Sequence, residues 1–411
     1  MDTRSRTRHN VKIVLTTLCL SLGLFSTTAT AETKLVSKAK ASKEAVDAPK
    51  KAPEMPATSK KDEPFFRIRG YLQVGYRFTF NNDDEGGSQS RPTLLRLGES
   101  DGFYLRRARV NFLGGYKDFS IRVSAEMAAD SGASSSDVSP ANRSLGLRLR
   151  DAFLKYKHSS GFYAVLGQTN VPFGLNEARS NTVEHFNEFP LILGGEDIAF
   201  GYPVQGIAPR RDIGLKLGYE KDLGPVGIFV KAMVYNGNGP NVFANDSDMP
   251  AVAGRLGVNV GKLLRVGGSV LWNPRRAGEP PQLYDETDLT FGADLSLNVA
   301  GFFLEGAFAM QQTSFPTTGQ ETATAWGFHA DLGYRIKGLG LEPAVRFEMF
   351  DPSDLFDDDQ LTYITIGVNW YKKVWRHHEL AVRLSYVIKM EQVETRQLLN
   401  DQINLRIRYR L

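Results

Sequence analysis

The chain has 411 residues, with 50 basic and 46 acidic side chains, a net charge of +4, and aromatics at 11%. Beyond the N-terminus no stretch is apolar for 18 residues, which excludes a readable transmembrane helix. The single cysteine, Cys19, lies in the N-terminal apolar run. The rest of the chain can therefore use no disulfide, thiol nucleophile or thiolate metal site.

The chain opens with Arg4, Arg6, Arg8 and Lys12, an apolar run, and the small-residue stretch TTATAE. This order is expected of a secretory signal peptide over residues 1–31, cleaved after Ala31, and points to the envelope of a Gram-negative bacterium. Removing it takes away four bases and one acid (Asp2), leaving 46 basic against 45 acidic. Net charge then says nothing about partners, and the placement of charge along the chain must carry that argument. Residues 32–63 are rich in Lys, Ala, Pro and Ser and hold no aromatic. Such a segment cannot bury enough apolar surface to order itself and is expected to be a flexible periplasmic linker.

From Phe65 onward, short runs alternate apolar and polar residues between Gly, Pro, Asn and Asp clusters. The alternation predicts sixteen strands, at about 65–80, 102–114, 117–129, 145–158, 161–171, 211–221, 225–236, 251–261, 263–273, 287–299, 301–312, 322–336, 340–350, 361–371, 379–390 and 400–411. The 348 residues after position 63 allow about 22 per strand plus connection, the spacing of an up-and-down antiparallel barrel. In the run KDFSIRVSAEMAA, Phe119, Ile121, Val123 and Ala125 share one face, while Ser120, Arg122, Ser124 and Glu126 share the other. A large soluble sandwich would show the same local pattern with its apolar face inside. Mid-strand Arg, Asp and Asn on the polar faces favour a transmembrane barrel over residues 64–411. So do the aromatics near strand ends (Tyr71, Tyr76, Tyr104, Tyr219, Tyr235, Trp272, Tyr334, Trp370, Tyr371 and Tyr409), read as interface girdles, and a chain that ends on a strand. In hydrocarbon only a closed barrel satisfies every strand backbone, so one face meets lipid and the other a water-filled lumen. The fold class expected is therefore all-β, with sixteen strands.

The stretches GFYLRRARVNFLGG (102–115), YKDFSIRVSAEMA, LRDAFLKYK (149–157), GQTNVPFGLNEARS (167–180), RDIGLKLGYE (211–220) and VYNGNGPN (234–241) resemble the phosphate-selective porin O and P family. The resemblance implies an outer-membrane trimer with a narrow pore favouring anions such as phosphate, lined by an arginine ladder and a lysine cluster. The ladder has matching strand faces here, whereas the lysines do not align residue by residue. Outer-membrane barrels usually end on an aromatic residue, where this chain has Leu411.

Alternation assigns Arg67, Arg69, Arg77, Arg107, Arg109, Arg122, Arg255, Arg265, Arg346, Arg383, Arg406, Arg408 and Arg410 to the lumen. A permanently charged, planar guanidinium suits phosphate and carboxylate, and rungs of it let an anion hop between weak sites. Arg148 and Arg150 are left open, because the alternation slips at Arg150–Asp151. Against the ladder stand Glu126, Asp151, Asp294, Glu305, Asp331, Glu342 and Glu348 on the same wall. Charge balance would make the protein a general porin or a structural envelope barrel instead. The longest connection, 174–210, is expected either to fold into the lumen, with Arg179, Arg210 and Arg211 at the constriction, or to lie outside at the trimer or cell surface. Acidic loops NDSD (245–248) and FDDDQ (356–360) lack Ca²⁺-site spacing, and NGNGPN (236–241) opens no helix and reads as a turn. The pair His377–His378 diverges along its segment and does not suit a shared metal. His185 beside Ser180 or Ser159 is the nearest approach to a hydrolase site, with no motif fixing its geometry. No enzyme activity, cofactor, metal or nucleic-acid partner is expected; the partners expected are small anions, outer-membrane lipid and two further copies of the chain.

Overall fold

In a computed structural model the described residues are 63–80, 102–129, 145–178, 185–193, 207, 211–242, 244–279, 282–356, 360–375, 377–393, 396–398 and 401–411. The expected signal peptide and the linker up to residue 62 lie outside them. The elements are β1 Phe65–Thr79, β2 Gly102–Tyr116, β3 Phe119–Ala129, β4 Leu145–Lys157, β5 Phe162–Asn170, β6 Arg211–Leu223, β7 Val226–Tyr235, β8 Ala251–Val260, β9 Leu264–Glu279, β10 Gln282–Val299, β11 Phe302–Phe315, β12 Gln320–Tyr334, β13 Leu341–Asp351, β14 Leu361–Trp375, β15 His378–Val393, β16 Arg396–Leu398 and β17 Gln402–Arg410.

Each strand pairs antiparallel with the next, and β1 pairs with both β2 and β17, so the sheet closes on itself. Short β16 and β17 lie along the same edge of β15, at Glu391↔Leu398 and from Val387↔Gln402 to Glu379↔Arg410. They form one interrupted stave, and the barrel has sixteen. Closure leaves no sheet edge, as hydrocarbon demands. Alternate connections are tight. Lys117 (φ 52°) turns β2 into β3, and Ala300 and Gly301 (φ 50° and 95°) turn β10 into β11 with the paired positive φ of a two-residue hairpin. The longer connections gather at the other end, the extracellular end in barrels of this kind.

The strands agree with the expected ones to within a few residues, apart from the short, unexpected β16 and the long extensions of β9 and β10. Pro274, Arg275 and Arg276 were expected in a loop, yet the two strands stay paired up to Glu279↔Gln282. Arg275 binds Asp288 (2.8 Å) and Arg276 binds Asp285 (3.2 Å) across this pair, and the cross-strand charges carry it through a Pro- and Gly-containing stretch.

Burial runs opposite to that of a soluble protein. On β8, Arg255 is 2% exposed and its neighbour Leu256 is 64% exposed. On β1, Ile68, Leu72, Val74 and Phe78 are exposed, while Tyr71, Gln73, Arg77 and Thr79 are buried. An apolar outer surface around a polar interior is stable only when the surroundings are hydrocarbon. Among the expected girdle aromatics, Tyr76, Tyr219, Tyr334 and Tyr409 do face outward. Tyr71 and Tyr235 are buried on the lumen side, and Tyr371 bonds the buried Glu342. The strand-end rule reads position along a stave and not which face the ring takes.

Candidate functional site: the lumen and its inward loop

The functional surface of a barrel is its inner wall. Every arginine assigned there by alternation sits at a lumen position where the structure describes it. Arg107, Arg109, Arg255, Arg346, Arg383, Arg406 and Arg408 are buried. Arg67 stacks on Phe65 (5.6 Å) and Arg265 on Phe229 (4.6 Å). Arg69 is two residues further along the Arg67 face of β1, Arg122 stacks on Phe153 (5.6 Å), and Arg410 reaches Glu379 (3.1 Å).

Barrel closure gives these arginines a distribution that no single strand shows. Strands β17, β1 and β2 are neighbours. They carry Arg406, Arg408 and Arg410, then Arg67, Arg69 and Arg77, then Arg106, Arg107 and Arg109, and no Asp or Glu occurs in any of the three strands. Arg106 was missed because strict alternation turns it outward. A bulge between Gln73 and Val74, where Gln73 faces Arg107 and Val74 faces Leu105, turns Arg106 and Arg107 inward together. The slip expected at Arg150–Asp151 is also a bulge: Ser124 faces Asp151, Ala125 faces Leu149, and Arg150 approaches Glu126 (3.4 Å).

Much of the wall is ion-paired, these three strands included, where Arg408 and Arg410 share Glu379 of β15. Arg109 donates to Glu126 (2.6 Å), Arg211 to Asp151 (2.9 Å) and Arg346 to Asp331 through two bonds of 2.8 Å. Arg255 meets Asp294 bidentately, with both side chains fully buried. Buried guanidinium–carboxylate pairs of this kind hold two charges out of water only because each satisfies the other. Inward carboxylates concentrate on β10 to β13, at Asp294, Glu305, Asp331, Glu342 and Glu348.

The described residues of the connection after β5 (171–178, 185–193 and 207) fold into the lumen. The apolar ones, Val171, Phe173, Phe189, Leu191, Ile192, Leu193 and Ile207, pack on inward Met233, Tyr235, Ala253, Leu271, Phe350 and Tyr363. The wall is therefore apolar beneath these loop residues, a local departure from the expected polar lumen. Glycines make room for it: a methyl on Gly292 would sit 2.6 Å from the Phe173 ring, and one on Gly327 the same distance from Ile192. Charges then clip the loop to the wall at three places. Glu177 accepts from Lys216 (3.1 Å) and Lys231 (2.8 Å). His185 binds Glu342 (2.8 Å), approaches Glu305 (3.6 Å) and stacks on Phe303. Glu188 meets Arg106 and Arg406 (2.5 Å each) and Arg77 (3.5 Å). Burial disfavours the charged imidazole of His185, but Glu305 and Glu342 outweigh it and raise its pKa to about 9. Burial likewise opposes the Glu188 carboxylate, and Arg106, Arg406 and Arg77 hold it down to about 2.

Of the expected constriction arginines, Arg179 and Arg210 lie outside the described residues. Arg211 opens β6 and belongs to the wall. Lys155, Lys216, Lys231 and Lys389 are inward lysines that alternation points to: Lys216 lies between Leu215 and Leu217, Lys231 between Val230 and Ala232, and Lys389 between Ile388 and Met390. In the NGNGPN turn, the amides of Gly237 and Gly239 donate to Asp212 (3.0 and 2.9 Å), which ties that loop to the wall. Asp248 of the NDSD loop pairs with Arg276, and Asp357–Asp359 lie outside the described residues. His378 bonds the Tyr409 hydroxyl (3.0 Å). Ser180 is not among the described residues, Ser159 is an exposed turn residue, and the ring of His185 is held between carboxylates.

A closed sixteen-stave barrel with a lipid-compatible exterior, a charged lumen and an inward loop defines a porin of the Gram-negative outer membrane. Residues 88–274, somewhat under half of the chain, match the model of the family described as phosphate-selective porin O and P. No curated protein matches in sequence. Among solved structures the chain is similar to OmpT of Vibrio cholerae in its trimer form (12% identity, TM-score 0.56, covering 85% of this chain and 100% of that one). It is also similar to the anion-selective porin from Comamonas acidovorans (12%, 0.53, 85% and 99%) and to the outer membrane channel DcaP of Acinetobacter baumannii (14%, 0.53, 86% and 99%). At these identities the likeness is one of fold. Family and barrel together point to a channel.

Proposed function

We propose that this porin is a passive, anion-preferring channel that admits phosphate or related small anions and works as a homotrimer. The observation that carries the reading is the run of nine arginines on β17, β1 and β2 without a carboxylate on those strands. Such an arc holds a fixed positive potential along one side of the lumen, and it lowers the energy of an anion without a tight site that would trap it. Phosphate enters the proposal through the family description, anion preference also through the Comamonas porin, and the trimer through the Vibrio structure.

The ion pairs at Glu126, Asp151, Asp294 and Asp331 favour a second reading, a general diffusion porin with a charge-balanced lumen. Reversal potentials in planar bilayers across a KCl gradient separate the two. Chloride preference, with chloride current reduced by added phosphate, supports the anion channel. Cation preference, or indifference to phosphate, overturns it.

A further inference from the structure

The arginine arc already has an occupant. Glu188, on a loop tethered at β5 and β6, sets Oε1 against Arg406 (2.5 Å) and Arg77 (3.5 Å) and Oε2 against Arg106 (2.5 Å). The three arginines are almost wholly buried, whereas the Glu188 side chain keeps about a fifth of its surface open. Three different strands supply the cations, and both carboxylate oxygens are engaged from different sides. The loop has anchors besides the carboxylate: Arg346 donates to the Glu188 carbonyl (2.9 Å), Arg406 uses its other nitrogen, Nη1, on the Asn187 carbonyl, and the Asn187 side chain donates to Ser385 (3.0 Å). The carboxylate can therefore be neutralised while the chain around it keeps its anchors. The same loop repeats the arrangement at Glu177 on the Lys216–Lys231 pair.

We propose that Arg77, Arg106 and Arg406 form a carboxylate-binding site that the protein fills with its own Glu188, and that this internal counter-ion sets the channel's response to small organic carboxylates. Both oxygens of a carboxylate are matched by guanidinium donors in fixed positions, the geometry in which charge-assisted bonds are strongest. Left open, three desolvated arginines would hold an anion long enough to obstruct the pore, and conduction needs weak sites. Glu188 keeps the arc attractive to anions along its length without a deep trap at this point. The inference rests on the lumen conducting ions, and its test is independent of which ion the native pore prefers.

The test is acetate block of chloride current through single channels of the full-length protein in planar bilayers. With Glu188→Gln, the acetate concentration that halves the current is expected to fall about tenfold or more relative to the native channel. Restoring the carboxylate with Glu188→Asp should bring it back towards the native value. A loop that merely lost an anchor would widen the pore or make its current noisy, without acquiring acetate block. Should Glu188→Gln not fold, Glu188→Cys keeps the test open, because the chain's one other cysteine is Cys19. Alkylating the folded variant with iodoacetate restores a carboxylate, and iodoacetamide leaves the position neutral. Acetate block confined to the neutral product supports the site, and equal acetate sensitivity in both products overturns it. A native channel that prefers cations would overturn the proposed function yet leave this comparison interpretable.

Discussion

Arg255 and Leu256 are adjacent, and the barrel sends them into opposite solvents, so exchanging their chemistry tests the architecture directly. Leu256 is sixth of the ten residues of β8, close to the middle of the stave, and 64% exposed. If the medium outside is hydrocarbon, Leu256→Arg places a guanidinium near the bilayer midplane and costs about 2–4 kcal/mol. At the strand end, Val226→Arg on β7 should cost only about 0–1 kcal/mol, because the charge can reach the interface. Arg255→Leu is expected to cost about 3–5 kcal/mol for the opposite reason, since it leaves the buried Asp294 carboxylate without its bidentate partner. The measurement is reversible denaturant unfolding of the barrel in lipid vesicles, comparing each variant with the native chain. Were the exposed face in contact with water, Leu256→Arg would change stability by no more than about 0.5 kcal/mol, like other surface substitutions. A small cost that does not differ between positions 226 and 256 would refute the two-solvent wall.

Deleting residues 185–193, the segment of the loop that carries the His185 and Glu188 clips, should raise single-channel conductance about twofold or more as the lumen widens; unchanged conductance would mean that this segment does not narrow the path. The His185 clip should be lost in alkali. Its raised pKa means that the charged imidazole stabilises docking below its ordinary value near 6.5, and that the contribution disappears as pH rises through about 9. Open-channel noise should increase over that range in the native protein and be pH-independent there in His185→Asn. Arg109→Ala should lower anion-over-cation permeability about two- to threefold, because it removes the 2.6 Å partner of Glu126 and leaves that carboxylate only the more distant Arg150 (3.4 Å), and Arg122→Ala should do so less, because its partner Asp151 keeps the closer Arg211 (2.9 Å). Unchanged reversal potentials in both variants would count against the arginine wall. Gly327→Val should destabilise the folded barrel by about 1–3 kcal/mol, since a Cβ there meets both Ile192 and the Met349 carbonyl at 2.6 Å, and thermal melting in detergent checks it.

Alternation of period two is a local property. It was enough to place sixteen staves, to tell the two faces of each apart, and to put Arg67, Arg255 or Arg383 on the polar face, because side-chain direction in a strand depends only on counting residues. Counting fails where a bulge inserts a residue. That is why Arg106 escaped the sequence reading and why Arg150 could not be assigned. The inward loop was legible as a length and a composition. Its three clips were not, since Glu177, His185 and Glu188 find partners 39 to 218 positions away.

By itself, then, the chain determined the strands, their two unlike faces and the need for two different solvents, all of which follow from the short-range pattern of apolar and polar side chains. Closure itself follows from that pattern, because hydrocarbon tolerates no unpaired sheet edge; only the tertiary structure decided the register in which the last strand meets the first, with Arg406 opposite Gly75 and Arg410 opposite Tyr71. That closure gathers Arg406, Arg408 and Arg410 next to the arginines of β1 and β2, and the inward fold of the loop then sets Glu188 among them. Charges more than 200 residues apart in sequence become one electrostatic surface there, through a proximity that no local pattern encodes.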